Sequence, residues 1–217
     1  MMKSKWVLYG IFLITIFTIH YVGAKNQGLQ GRIIYLDPGH GGKDPGTVYK
    51  DIHEADINLK IAQKLKQELE KEGVTVYLTR YEDYDLSVPN AQNRKRSDLS
   101  RRGNLINQSD CDLYLSIHLN AGSSSTWNGA QVFYDDVKEE NKKLAENLQK
   151  QLSKDLKSKK KATLTNEMYL HKRVQKPGVL IEAGFLSNPN ERYLLQKDWY
   201  QEKIAKSIVI GLKQYYT

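Results

Sequence analysis

The sequence predicts an α/β fold: a single domain with a largely parallel mixed sheet and helices on both faces, preceded by an N-terminal signal or anchor segment. Three observations predict it. Short runs of β-branched and apolar residues alternate with longer segments whose apolar residues recur at helical spacing. A chain of 217 residues, 40% hydrophobic and 27% charged, suits one ordered domain and excludes a disordered one. The first 24 residues differ in composition from everything after them.

Taken in order, Lys3 and Lys5 precede an apolar run from Trp6 to Ile19, and Val22-Gly23-Ala24 offers small residues to a signal peptidase. Extended to Val22, the run reaches the lower edge of bilayer-spanning length, so residues 1–24 read as a signal peptide or membrane anchor. Residues 25–31 read as a polar linker and 32–217 as the folded domain. Arg32–Asp37 predicts a buried strand ending at Pro38-Gly39. Glu54 to Glu72 predicts a helix with Ile57, Ile61, Leu65 and Leu69 on one face, closed by Gly73. Val74–Thr79 is the next strand, Arg94 to Asn107 a polar, basic helix, Asp112–His118 a third strand and Ala130–Tyr134 a fourth. Glu139 to Leu156 predicts a helix with Leu144, Leu148 and Leu152 on one side, followed by a solvated basic run from Lys154 to Lys161. Gly178–Glu182 is a short buried strand, and two helices finish the chain with Ile204, Ile208 and Leu212 facing the core.

Removing residues 1–24 takes away two lysines and no acids, so the net charge falls from +8 to +6. That excess favours anionic polymers such as cell wall or membrane surfaces, and export argues against nucleic acid. The single cysteine, Cys111, has no partner for an internal disulfide and reads as a small buried residue.

Four polar residues share one kind of position. His40 follows the first strand in DPGHGG, Glu54 opens the first long helix, His118 ends the third strand in SIHLNA, and Glu182 ends the short strand in VLIEAGF. In open α/β sheets, functional groups gather at the carboxyl ends of strands and at adjoining helix starts. Two histidines and a carboxylate suit a catalytic-type zinc centre, with a fourth position left for water. Each residue alone has an ordinary structural reading, and the spacing is not that of an HExxH helix.

The ordered blocks DPGHGG, Glu54 with NLKIA, LTR ending at Arg80, Arg102 and Asn107 before DLYLSIHLNA, GAQVFY, and PGVLIEAGFLSNPNE carry a resemblance. From about Arg32 to Tyr216 the chain resembles the zinc-dependent N-acetylmuramoyl-L-alanine amidases of bacteria. The resemblance implies one zinc ion held by His40, Glu54 and His118, and Glu182 as the catalytic carboxylate. Cys111, Leu119 and Gly178 stand where such enzymes often carry alanine, and none of these is a metal ligand.

The reaction so implied is hydrolysis of the amide between the lactyl group of N-acetylmuramic acid and L-alanine of the peptidoglycan stem. Glu182 would serve as general base and then general acid. Absence of wall-binding repeats looks most like the spore-cortex member of the family, whose product leads to muramic lactam through a partner deacetylase. The alternatives are a cell-separation autolysin of the same chemistry and an inactive wall-binding protein. Expected localisation is the cell wall or outer face of the membrane, including the space between the forespore membranes. The stretch from His118 to Glu182 leaves little chain for a helical plug, so the site is expected to be open and controlled by a protein activator, by timing or by substrate chemistry.

Arg80, Asn120 and Asn188 are candidate substrate-binding residues. Arg80 has the alternative of pairing with Asp37 or Asp83, and Asn188 that of a turn residue before Pro189. His53 is set aside because helix neighbours point about 100° apart and cannot both face one ion with Glu54. His171 is expected at the surface, and Trp127 lies in the Ser-rich loop 122–128.

Overall fold

In a computed structural model, which describes residues 28–217, the apolar runs become one six-stranded sheet. The expected export segment lies outside the described residues. β1 (Ile33–Pro38) pairs in parallel with β4 (Thr75–Leu78) on one side and β5 (Leu113–Asn120) on the other. β5 pairs in parallel with β8 (Gly178–Phe185), and β6 (Gln131–Tyr134) runs antiparallel to β8. A short strand, β7 (Thr163–Leu164), completes the order β4-β1-β5-β8-β6-β7. The sheet is therefore mixed and mostly parallel, as the alternation of patterns predicts.

Side chains alternate across a strand, so each strand serves two faces. On one face Ile34 and Leu36 of β1, Leu113, Leu115 and Ile117 of β5, and Val179 and Ile181 of β8 build the main core. Three amphipathic helices close it: α1 (Glu54–Lys71) with Ile57, Ile61, Leu65 and Leu69, α3 (Glu139–Leu156) with Leu144, Leu148 and Leu152, and α6 (Asp198–Tyr216) with Ile204, Ile208 and Leu212. Burying each such leucine or isoleucine fully is worth about 1.5–3 kcal/mol. On the opposite face α2 (Arg94–Gln108) and the short α4 (Tyr169–Arg173) cover a smaller cluster of Tyr35, Ile106, Cys111, Tyr114, Leu170 and Val174. Cys111 is buried there as a free thiol. α5 (Pro189–Leu195) links β8 to α6.

Three features differ from the sequence reading. A hairpin of β2 (Val48–Tyr49) and β3 (Ile52–His53), together with β7 and α4, has elements too short to show a period. β8 extends to Phe185, beyond the expected end at Glu182. Leu29 is buried in the main core and Gly31 donates to the Gly73 carbonyl, so the folded unit already includes part of the expected linker. No helix among the described residues is long and apolar enough to cross a membrane.

Candidate active site

Alternation along β5 puts His118 on the face of Tyr114 and Ser116, and the β5–β8 register makes Glu182 its direct neighbour on the adjacent strand. His40 follows the end of β1, and Glu54 is the first residue of α1, reaching over the carboxyl edge of the sheet. His40, Glu54 and His118 thereby converge, each offering a ligand atom within 4.8 Å of the others. His40 Nε2 lies 3.3 Å and His118 Nδ1 3.0 Å from Glu54 Oε1, and the two imidazole rings meet edge to face at 4.9 Å.

The turn that presents His40 is strained and tightly held. His40 has φ 62°, a left-handed conformation that costs a non-glycine residue about 1–2 kcal/mol. Arg102 donates to the carbonyl oxygens of Pro38 at 2.7 Å and His40 at 2.6 Å. Arg80 donates to Pro38 at 2.9 Å, Gly39 at 3.0 Å and Ala55 at 2.7 Å. Gly39 is required by a close approach, since a Cβ there would stand 2.2 Å from the His118 ring. Asp44 Oδ2, 2.9 Å from His40 Nδ1, orients the imidazole and leaves Nε2 facing Glu54.

Beneath the turn lies a buried ion network. Asp37 Oδ1 accepts from Arg102 at 2.9 Å and from the Thr79 hydroxyl at 2.7 Å, while Oδ2 accepts from Ser116 at 2.7 Å. Arg102 also donates to Asp98 at 2.8 Å. Burial disfavours the Asp37 carboxylate, but Arg102 and the hydroxyl donors outweigh it and hold its pKa below the usual range.

Glu54 and Glu182 differ sharply in surroundings. Burial opposes ionisation of Glu54, yet His118 and His40 prevail and hold it well below ordinary carboxylate values. The Thr47 and Leu119 amides and the Asn58 side chain add hydrogen bonds to it. Glu182 has no such support: its buried Oε2 has no hydrogen-bond partner, and burial, with the nearby charge of Glu54, pushes its pKa up to about 7 against the pull of His118 and His40. The two imidazoles thus favour the charged form of one carboxylate, while burial favours the protonated form of the other.

A cleft of about 370 Å³ opens on this group. Its floor includes Asp37, Ser116, Leu180 and Glu182, one bank is α2 with Lys95, Asp98 and Leu99, and the other is Glu167 to Leu170. The donor set fits a metal: two imidazoles and a carboxylate, with Asp44 against the far nitrogen of the His40 ring and open space alongside.

The other candidates fall elsewhere. Arg80 is completely buried and binds backbone carbonyls, so it shapes the turn and cannot meet substrate; it forms no ion pair with Asp37 or Asp83, Asp37 having been taken by Arg102. Asn188 is buried as the N-cap of α5, accepting from the Asn190 and Glu191 amides. Asn120 lies half-buried at the end of β5 and is not among the residues lining the cleft. His53 is exposed and ends β3, just before α1. His171, expected at the surface, is 2% exposed because α4 turns it inward against the Tyr114 ring, 6.1 Å between centroids. Asp44 and Lys95 were missed; Asp44 follows His40 by four residues across a Gly-Gly turn, which is the signal that could have found it.

Residues 34–214 match the family described as N-acetylmuramoyl-L-alanine amidase. The germination-specific N-acetylmuramoyl-L-alanine amidase of Bacillus subtilis (strain 168) is 42% identical, over 99% of this chain and 96% of its own length. Among solved structures, the CwlD amidase from Clostridioides difficile, in complex with the GerS lipoprotein, superposes with a TM-score of 0.81 at 38% identity, covering 85% of this chain and 98% of that one. An N-acetylmuramoyl-L-alanine amidase from Clostridium difficile 630 gives 0.75 at 32% identity, covering 85% and 96%. With a matching fold, a match running from β1 into α6, and a His-Glu-His group at the carboxyl edge of the sheet, this chain belongs to the N-acetylmuramoyl-L-alanine amidase family.

Proposed function

We propose that the enzyme is an exported zinc amidase of spore cortex, cutting the lactyl–L-alanine amide of N-acetylmuramic acid as a step toward muramic lactam. The observation that carries the chemistry is the convergence of His40, Glu54 and His118, with Glu182 beside His118 on the next strand. The cortex assignment is supported by the likeness to the germination-specific relative along nearly the whole chain. Export rests on the residue 1–24 pattern of basic start, apolar run and small-residue exit.

In this reading His40 and His118 give ring nitrogens, and Glu54 a carboxylate oxygen, to one zinc ion. Zinc bound there supplies a Lewis acid and acidifies water at neutral pH. Asp44 fixes the tautomer of His40, and the arginine-clamped turn keeps that ring in place. Glu182 takes the proton of the attacking water and returns one to the L-alanine nitrogen as the amide breaks. Burial, which favours its protonated form, suits the return of that proton. The open cleft admits a polymer end or side branch without a displaced plug. A protein partner, of the kind the C. difficile CwlD relative has in the GerS lipoprotein, belongs to this reading, as does a deacetylase acting afterwards on the product.

The test is parallel digestion of cortex and vegetative peptidoglycan, with and without chelator, read by product mass. Released peptides begin with L-alanine and the lactyl group is left intact as an acid. Glu182→Gln keeps zinc and loses cleavage, whereas His40→Ala and His118→Ala lose both. Near wild-type cleavage by the Gln variant would refute the assignment, and equal attack on vegetative wall would replace the cortex role by that of a general autolysin.

A further inference from the structure

We propose that Lys95 is a substrate-specificity residue that anchors a free carboxylate of the stem peptide, and that the α2 bank of the cleft is therefore the peptide side of the site. Lys95 lines the same cleft as His40, His118 and Glu182. It sits in the first turn of α2, is exposed, and forms no ion pair among the described residues. Of the other cations lining its two cavities, Arg94 pairs with Asp85 and Arg102 with Asp37 and Asp98, while Lys43 stands in the outer cavity; Lys95 itself acts on Asp44 only through its field.

Of the acids lining the cleft, Asp44 is held by His40, and Asp37 and Asp98 by Arg102. Glu182 in the floor and Glu167, exposed on the opposite bank, form no ion pair among the described residues. The ammonium of Lys95 is thus the uncommitted cation on the wall of the catalytic cleft. A second cavity of about 270 Å³ shares Asp44, Lys95 and Asp98 with the first and continues past Lys43, Asp85 and Arg94, so the groove along α2 extends beyond the catalytic cleft.

Substrate chemistry gives this bank a direction. In the amide-linked substrate the lactyl carboxyl is consumed in the scissile bond, and the N-acetylated sugars carry no other carboxylate. The stem peptide does carry them, at the α-carboxyl of its γ-linked second residue and on its third residue. An ammonium without an ion-pair partner on the wall of the same cleft therefore selects the peptide half, and lays it along α2. The inference rests on the amidase reading and asks a separate question of it.

The experiment uses synthetic muramoyl peptides in three forms: all carboxylates free, the second-residue α-carboxyl amidated, and the third-residue carboxyl amidated. The wild-type enzyme is expected to prefer the free acid over one amidated form by about tenfold in kcat/KM, mostly through KM, the size of one charge-assisted hydrogen bond at a solvent-exposed site. Whichever amidation causes the loss identifies the carboxylate bound. In Lys95→Met the ratio collapses toward one, and Lys95→Arg restores it. Zinc content and thermal midpoint of both variants stay at wild-type values, since Lys95 is exposed and holds no structural partner. Wild-type enzyme indifferent to both amidations, or an unchanged ratio in Lys95→Met, overturns the proposal. Failure of wild type to cut any of the three would instead count against the amidase reading.

Discussion

Replacing Glu182 by glutamine should stabilise the metal-free protein, and only above mildly acidic pH. In the fold this carboxyl is buried, with an orphaned Oε2, and its pKa stands at about 7 against an ordinary 4.5. A carboxyl whose pKa is higher folded than unfolded binds more protons in the native state, so its contribution to stability falls as pH rises. The penalty is absent below 4.5, grows between 4.5 and about 7, and is complete above that. A gap of that size corresponds to about 3 kcal/mol. For a domain of this length it amounts to about 6–12 °C in thermal midpoint. Glutamine keeps the shape and removes the charge, and its amide can turn toward the cleft. The assay is urea denaturation of both proteins in chelator at pH 4.5, 6 and 8, compared at equal pH so that all other titrating groups cancel. The variant should match wild type at pH 4.5 and exceed it by up to about 3 kcal/mol at pH 8. A difference that does not change with pH, or a less stable variant at pH 8, would refute the reasoning.

Other outcomes follow from the same geometry. Arg102→Met strands the Asp37 carboxylate in the interior and should cost about 3–5 kcal/mol in urea denaturation. Because Asp37 titrates below its ordinary 3.8, its contribution is complete above that value and disappears as pH falls further; Asp37→Asn should flatten that part of the stability profile. Gly39→Ala drives a methyl into the His118 ring and should weaken zinc binding by about 10–100-fold, measured by competition with a chromophoric chelator.

Much of this fold is legible in the sequence. The helix from Glu139 to Leu156 has the bounds its leucine spacing implies, and the strand carrying His118 needed only two more residues. Those elements are long enough to display a period. The pairs Val48–Tyr49 and Ile52–His53 are not, and they depend on the turn between them. The convergence of His40, Glu54 and His118 was foreshadowed by chemistry-bearing side chains at strand ends and a helix start. What stayed hidden was the use of Arg80, Asn188 and His171. A buried arginine satisfied by backbone carbonyls looks in one dimension like an exposed one awaiting a carboxylate. Likewise, whether Asn188 caps a helix or meets a ligand is decided by the turn before Pro189.

The three donors His40, Glu54 and His118 are drawn from β1, α1 and β5, all from the earlier part of the chain, whereas Glu182 comes from β8. An ion gripping the first three would act as a staple across that earlier portion alone. Chelation should then loosen the molecule unevenly, quickening amide exchange in those three elements before it touches the packing of α3 against α6. Metal supply would be felt first as a local slackening around the turn at His40, upstream of any loss of the fold as a whole.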